Sequence, residues 1–240
     1  MAGRSERTPA RPGRPAGIRR HGIKEPQAPD LPEELTPGSL PEADLVDGAV
    51  LAGLAVDDLD LSGREAAGAE LDQCRYRNVT LAQVRLNRVM VKDAEFSHCD
   101  LANLRARDSS IRRAVVSGTR MTGFTWITGG IRDVIFESCR IDLGYFSATK
   151  FASVIFRNCR LDQANFGDTD LSDVQFTGCD LSGVQFSGAN VADTRFSGCE
   201  LSGLSGVTSL RGATISTSDA ISLTGIFAEA LGIRIEDPAE

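Results

Sequence analysis

The sequence contains few of the residues that usually carry enzyme chemistry. Its 240 residues include two His, two Tyr and one Trp, and eight of the nine Pro lie at or before Pro41. His21 lies in this Pro-rich part, which leaves His98 as the one imidazole in the rest of the chain. The motifs of metalloproteases, serine hydrolases and phosphate-binding loops are absent. We therefore expect no catalysis.

Long apolar runs and an export signal are also missing. No stretch of 18 apolar residues occurs, so we expect no segment that spans a membrane. The Arg- and Pro-rich N-terminus lacks the apolar core of a secretory signal, and we expect a cytoplasmic protein whose six Cys are free thiols. The net charge of −7 disfavours bulk binding of nucleic acid.

A five-residue repeat dominates the remainder of the chain. Every fifth residue from 61 to 201, which we call the centre of a quintet, is hydrophobic, giving 29 such positions in succession. Two places before the centre the residue is usually small, and two places after it Gly, Asn, Asp or Ser is common. A period of five fits neither a helix nor a strand. It predicts a solenoid, in which each unit buries its apolar side against stacked neighbours.

A turn in every quintet lets four quintets close one coil, so that the side chain at position i stacks on the one at i+20. At this spacing large residues meet small ones: Trp126 lies over Ala106, and Phe124 lies under Gly144. Residues 128–130 are expected to form a bulge or a short loop. Two columns of rings are predicted on opposite faces, one of Phe136, Phe156, Phe176 and Phe196 and the other of Phe146, Phe166 and Phe186.

Quintets such as residues 189–193 (Ala-Asn-Val-Ala-Asp) and 179–183 (Cys-Asp-Leu-Ser-Gly) resemble the A(D/N)Lxx motif of pentapeptide-repeat proteins. The resemblance covers about 170 of the 240 residues. It implies an all-β solenoid, namely a right-handed quadrilateral β-helix of pentapeptide repeats with a short C-terminal α-helix. The predicted parts are a disordered Pro/Arg-rich arm at 1–45, the β-helix at 46–215, and a capping or dimerisation helix with its tail at 216–240.

Each end of the chain has two interpretations. Residues 1–30 have a net charge of +4, so the arm is either a solvated tail or a basic segment that contacts nucleic acid or a partner. Residues 217–231 show apolar residues at helical spacing after a Ser-x-x-Asp cap. This helix either caps the solenoid within the monomer or forms a homodimer through Leu223, Ile226, Phe227, Ala230 and Leu231.

All six Cys occupy the small inward place of a quintet. Four of them recur at intervals of four quintets and should form one column: Cys139, Cys159, Cys179 and Cys199. Parallel side chains in a straight column cannot converge on zinc as a tetrahedron. We therefore interpret them as small buried residues instead of a metal or redox site. No catalytic, metal-ligating or cofactor-binding residue is predicted, and no cofactor is expected.

Two surface features are candidate interaction sites. Residues 61–120 have a net charge of +4, whereas residues 161–210 have a net charge of −6. The candidate acidic residues of the second region are Asp162, Asp168, Asp170, Asp173, Asp180 and Asp193. An exposed apolar stripe is also expected, because three apolar residues one coil apart stand where other quintets are polar: Val115, Ile135 and Ile155, with Tyr145 on an adjoining face.

The leading functional interpretation is a non-enzymatic scaffold that binds another protein. The resemblance implies an alternative, a DNA-mimicking protein that binds DNA gyrase or another topoisomerase and confers fluoroquinolone resistance or modulates gyrase. The acidic half of the chain favours that alternative, and the basic half does not. An enzyme or a metalloprotein is the least favoured class. The folded domain is not expected to bind nucleic acid directly or to bind a membrane.

Overall fold

The computed structural model of the protein describes residues 25–236. It consists of 14 strands, a 3₁₀ turn (Val207–Leu210) that precedes the last strand, and two short helices, α1 (Thr217–Ser222) and α2 (Thr224–Ala230). No helix in this part of the chain has the length and apolar character needed to cross a membrane. The strands are β1 (Thr36–Gly38), β2 (Val50–Ala52), β3 (Leu54–Asp57), β4 (Glu65–Ala67), β5 (Glu70–Arg77), β6 (Arg85–Asn87), β7 (Met90–Ser97), β8 (Arg105–Arg107), β9 (Ser110–Ser117), β10 (Thr125–Glu137), β11 (Tyr145–Arg157), β12 (Val174–Thr177), β13 (Arg195–Ser197) and β14 (Thr214–Ile215).

Parallel pairing at a constant offset winds these strands into a β-solenoid of about nine coils. From β2 to β13 each residue pairs with the one four quintets further on, as in Glu70 with Met90 and Phe136 with Phe156. The offset is slightly shorter only at the two ends, where β1 pairs with β3 and β13 pairs with β14. The predicted circumference of four quintets is confirmed.

One residue in left-handed conformation forms each corner of the coil. From 48 to 203 every fifth residue has a positive φ, between 47° and 74°, which gives 32 such corners in succession. Gly, Asn and Asp adopt this conformation readily, whereas for other residues it costs about 1–2 kcal/mol. The preference for Gly, Asn and Asp two places after the centre has its cause here. Leu143 and Ala148 show that the coil imposes the corner even on unsuited residues.

The quintet centres fill the inside of the coil. All 29 centres from 61 to 201 are buried. Phe156 stacks on Phe136 and Phe176 with ring centroids 4.8 and 5.0 Å apart, close to the spacing of adjacent strands. Phe166, from the opposite column, meets Phe156 edge-on at 6.3 Å. Both predicted ring columns are confirmed, and Trp126 pairs with the small Ala106 as expected from the four-quintet period.

The expected bulge or loop at residues 128–130 is wrong, because β10 runs through them without a break and pairs Gly129 with Thr149. A side chain at 129 would collide with the carbonyl oxygen of Ser109 and lie 2.9 Å from the indole nitrogen of Trp126. Gly129 therefore makes room for the largest side chain of the core instead of interrupting the strand.

The N-terminal part of the described chain belongs to the fold. Strand β1 pairs with β3, and Ala43 and Leu45 are buried in the core, so the ordered fold begins before the predicted boundary at residue 46. Residues 25–35, which we call the strap, have no helix or strand and lie outside the coils. The remainder of the predicted arm, residues 1–24, falls outside the described residues.

The C-terminal helix predicted at 217–231 is divided in two at Leu223. The Ser216 hydroxyl accepts a hydrogen bond from the Asp219 N–H and caps α1, as the Ser-x-x-Asp pattern predicts. Leu223 is completely buried in the core, and Ile226 and Phe227 pack against that core. The prediction of one continuous helix was wrong. Leu223 is buried against the end of the solenoid, and its neighbours Ser222, Thr224 and Gly225 have low helix propensity, so an interruption at this position costs little.

Candidate protein-interaction surfaces

The Cys column lies inside the coil, where its thiols are not available to a ligand or substrate. The Cys159 Sγ donates to the carbonyl oxygen of Phe136 at 3.4 Å, and the other Cys form equivalent contacts. Hydrogen bonding between successive thiols, with added burial, raises the pKa of Cys159 and of Cys179 to about 12. Such thiols stay protonated and are poor nucleophiles. Within residues 25–236 no group of three His, Cys, Asp or Glu is placed to hold a metal.

Three Arg side chains border one open groove on the basic half of the solenoid. Strands β6 and β8 align Arg85 with Arg105 and Asn87 with Arg107. Arg85 pairs with Glu65 at 2.5 Å, whereas Arg105 and Arg107 have no ion-pair partner among the described residues. The groove has a volume of about 510 Å³ and is lined by Arg85, Leu86, Asn87, Arg105, Ala106, Arg107, Thr125 and Ile127.

The sequence showed the positive charge of this region but not that these Arg share a face. The signal was present, since Arg85 and Arg105 are one coil apart and Arg107 follows two places later. Alternate residues of a strand point to the same side, so positions just before and just after a centre both face outward. The groove is therefore a candidate site for a negatively charged partner surface.

The six acidic candidates lie on two opposite faces of the C-terminal half. Asp168, Asp170 and Asp173 border one face, and Asp193 stacks one coil beyond Asp173. Asp162 and Asp180 flank centres that are half a coil away, and so lie on the opposite face. All six side chains are exposed or half-buried.

Ion pairing differs between the two halves of the solenoid. Eight of the eleven ion pairs among the described residues join side chains one coil apart, as Arg77 with Asp57 and Arg120 with Asp100 do at 3.0 Å. Most of these pairs precede residue 141 and neutralise acids by Arg or Lys on the next coil. Of the six acidic candidates, only Asp162 and Asp170 have a cation within 4 Å in the described part, each at 3.7 Å. Negative charge is thus least compensated in the C-terminal half.

The apolar stripe stacks as predicted, but its exposure differs from the expectation. Val115 aligns with Ile135, and Ile135 with Ile155. Val115 and Ile135 are half-buried, and Ile155 is only 3% exposed although it points out of the coil and is not part of the core cluster. Tyr145, on another face, is 41% exposed. The expected exposure is therefore wrong at Ile155, which is buried.

The strap follows this face by hydrogen bonds to corner side chains. The Asp30 N–H donates to Asp93 at 3.0 Å, and the Gln27 N–H donates to Asp133 at 3.3 Å. Gln73 donates to the Asp30 carbonyl oxygen at 3.0 Å. Burial acts to raise the pKa of Asp93, but hydrogen bonds from Arg113 and from the strap outweigh it and hold this pKa below its usual value. The strap could not be predicted from the sequence, because a Pro-rich chain has no periodicity to read.

The residues predicted to dimerise are divided between the interior and the surface. Leu223 is fully buried, and Ile226 and Phe227 are half-buried against the solenoid end. Ala230 is exposed, and Leu231 is 75% exposed. Of the predicted set, Ala230 and Leu231 are therefore the two most available to a second copy.

The family comparison agrees with this architecture. Residues 129–205 match a family model described as a pentapeptide repeat region. A search of curated proteins found no match. Among solved structures, a trypsin-treated variant of QnrB1, a plasmid-mediated fluoroquinolone resistance protein, is 18% identical, covers 81% of this chain and 94% of its own, and has a TM-score of 0.35.

Two cyanobacterial proteins are also similar. HetL of Nostoc sp. strain PCC 7120, a pentapeptide repeat protein involved in heterocyst differentiation regulation, is 17% identical, with coverage of 70% of this chain and 87% of its own and a TM-score of 0.25. Rfr23 of Cyanothece 51142, a pentapeptide repeat protein, is 12% identical, with coverage of 71% and 90% and a TM-score of 0.19. At these values the likeness carries no information about function.

Proposed function

We propose that this chain, whose residues 129–205 match the pentapeptide-repeat family model, is a non-enzymatic scaffold that binds another protein on the outer faces of its coil. The observation that carries the proposal is that the Cys side chains point into the coil, whereas charged side chains point outward. The Cys thiols point inward, and the pKa values of Cys159 and Cys179 are raised, whereas Arg85, Arg105 and Arg107 line an open groove at fixed spacing. A rigid face on which Arg105 and Arg107 have no ion-pair partner among the described residues suits an acidic partner surface, since charge complementarity speeds association and excludes wrong partners.

Capture of partners from a lysate of the native host tests this face. The bait would be the wild-type chain, the variant Arg85→Glu/Arg105→Glu, or a control with the same charge change on another face, Arg112→Glu/Arg132→Glu. We expect wild type and control to retain the same acidic protein and the groove variant to lose it by about tenfold or more. Equal capture by all three baits would refute the groove as the binding face.

A second candidate function is favoured by the acidic half. Asp residues on two opposite faces of a rod place negative charge along both sides, as phosphates do along a duplex. DNA-mimicking inhibition of DNA gyrase is the function that such a surface would serve. The basic groove opposes it, because the mimicry then covers only the C-terminal coils.

A gyrase supercoiling assay with relaxed plasmid tests the second candidate. Added protein is expected to inhibit supercoiling or to protect gyrase from a quinolone, and Asp173→Asn/Asp180→Asn is expected to weaken that effect. Asn tolerates the left-handed corner at 173, so this variant should keep its fold. If neither inhibition nor protection occurs at protein concentrations up to about 100-fold over the enzyme, the gyrase proposal fails.

We also propose that the C-terminal helices form a homodimer contact in either functional case. The support is the exposed apolar Leu231, next to helices that already close the solenoid end. Light scattering coupled to gel filtration measures the mass. Leu231→Asp is expected to halve it without affecting the fold, because this side chain is exposed in the monomer. A monomeric mass for the wild-type chain would contradict the dimer.

A further inference from the structure

We propose that the groove bordered by Arg85, Arg105 and Arg107, which we call the Arg groove, binds one phosphoryl group on a phosphorylated segment of the protein partner. The inference rests on the proposed function, because it names the chemistry that the partner presents to this face. A phosphoryl group on a side chain has a charge of about −1.5 to −2 at pH 7 and three strong acceptor oxygens. The charge, the donors and the extent of the Arg groove each match such a group.

The lining of the Arg groove contains cations and amides but no carboxylate. The groove shares Arg85 and Arg105 with an adjoining cavity of about 250 Å³. The other polar residues that line the two are Gln83, Asn87, Asn103, Arg107 and Thr125. Neither lining includes an Asp or a Glu, although the chain has 33 acidic residues and 26 Lys or Arg. An anion in the groove would therefore meet donors and no like charge from its lining.

Two positive charges of the Arg groove are not matched by ion pairs. Arg85 pairs with Glu65 at 2.5 Å, whereas Arg105 and Arg107 have no ion-pair partner among the described residues. Asp108 directly follows Arg107, but its carboxylate accepts a hydrogen bond from a threonine hydroxyl on the next coil. A single carboxylate of a partner would leave one of the two Arg unmatched. A phosphate dianion matches both of them.

The Arg side chains begin close enough together to converge on one phosphoryl group. Arg85 and Arg105 are paired residues of neighbouring strands, so their Cα atoms are about 4.8 Å apart. Arg105 and Arg107 are two places apart in β8, a distance of about 6.6 Å, and alternate residues of a strand point to the same side. A guanidinium presents parallel N–H donors that fit two phosphate oxygens at once. Two such groups can therefore hold one tetrahedral anion from two sides.

The short extent of the positive charge favours a single phosphoryl group over a strand of nucleic acid. The row of outward residues that contains Arg85 and Arg105 is preceded by Glu65 and followed by Thr125 and Tyr145. Its cations thus occupy two neighbouring coils, about 4.8 Å along the axis. Nucleic acid has a phosphate on every nucleotide, and proteins bind it by neutralising several of them. A partner with one phosphorylated residue has the charge that fits the Arg groove.

Fluorescence anisotropy with labelled peptides tests the class of ligand. The probes are short peptide pools that are randomised except at the centre, where they carry phosphoserine, serine or an Asp-Asp pair, and a short oligo-dT strand. We expect the full chain to bind the phosphoserine pool about tenfold more tightly than the serine and Asp-Asp pools. Inorganic phosphate should compete with this binding, and sodium chloride at the same ionic strength should compete less.

Variants assign the binding to the Arg groove. Arg105→Gln/Arg107→Gln should weaken binding of the phosphoserine pool by about tenfold or more. The matched control, Arg112→Gln/Arg132→Gln, removes a stacked pair of Arg on another face and should leave the binding unchanged. Arg105→Lys/Arg107→Lys keeps both charges but removes the planar donors, so its affinity should lie between those of wild type and the Gln variant. All four side chains are exposed, and circular dichroism checks the fold of each variant.

Four results would overturn the inference. Equal affinity for the phosphoserine and serine pools would show that the phosphoryl group is not bound. Equal affinity for the Asp-Asp pool would show that any acidic segment suffices. Tighter binding of oligo-dT through the same Arg would show a nucleic-acid site. Equal weakening by the control variant would show a general effect of net charge.

The lysate capture described above separates this inference from the proposed function. The lysate is divided, and one part is treated with phosphatase before capture by the wild-type chain and by Arg85→Glu/Arg105→Glu. Loss of the acidic protein after phosphatase treatment agrees with the inference. If treatment leaves capture by the wild-type chain unchanged and the groove variant still fails to capture, the groove is the binding face but its ligand is not phosphorylated. Equal capture by both baits would refute the groove itself.

Discussion

The stacked Phe column provides a direct energetic test of the four-quintet coil. Phe156 is fully buried and stacks on Phe136 and Phe176, with interplanar angles of 6°. Phe156→Leu keeps an apolar side chain there but removes two stacked pairs. Aromatic pairs contribute about 0.5–1.5 kcal/mol each beyond their buried area. We therefore expect the free energy of unfolding to fall by about 1–3 kcal/mol.

A pair of double-mutant cycles separates stacking from a general loss of packing. Phe156 and Phe176 share one stacked pair, so their Leu substitutions should be non-additive by about 0.5–1.5 kcal/mol. Phe156 and Phe196 are two coils apart and do not touch, so their effects should add within about 0.5 kcal/mol. Urea denaturation followed by circular dichroism measures both. Equal coupling in the two cycles would refute a coil of four quintets.

Three further predictions concern the core. The ring column is interrupted at Val116, between Phe96 and Phe136, beside a cavity of about 40 Å³, so Val116→Leu should stabilise the fold by about 0.8 kcal/mol in urea denaturation. Gly129→Ala should lower the melting temperature, with a cost of about 1–3 kcal/mol, because its methyl meets Ser109 and Trp126; Gly130→Ala, with open space, is the control. The raised pKa values of Cys159 and Cys179 mean that the native thiols keep protons that unfolded thiols lose above pH 9. Stability should therefore fall as pH rises from 9 toward 12, by roughly 1 kcal/mol per thiol and pH unit, and a Cys159→Ala/Cys179→Ala variant should show a shallower fall in urea titrations.

The coil could be predicted from the sequence because its rule is local and repeated. A large residue at Phe156 and a corner residue at Asn158 each have a counterpart one coil away, so one misread quintet changes little. The compensation of Trp126 by Ala106 followed from the same spacing. The role of Gly129 was predicted wrongly because glycine usually indicates a break in a strand. The side chain that it makes room for, Trp126, lies in the same coil and not one coil away.

The surfaces were harder to predict because they depend on contacts between distant segments. Ile155 has the same sequence environment as Val115 and Ile135, yet only Ile155 is fully covered. The strap binds Asp93 and Asp133 through its backbone N–H groups. Every residue except Pro has such a donor, so the sequence does not indicate which of them will bind. Leu223 similarly has the spacing of a helix face, but its position against the last coil decides its burial.

Because the offset between neighbouring coils is constant, the number of coils can change without a change in how each coil packs on the next. Removing residues 157–176 would join Phe156 to Thr177, which now follows Phe176 in the same column, so each remaining coil would keep an equivalent neighbour above and below. A whole coil can thus be deleted or duplicated as a unit, whereas the loss of a single residue rotates every later side chain out of its place. Genetic change in such a chain is tolerated in whole coils, and its reach can evolve without redesign of its interior.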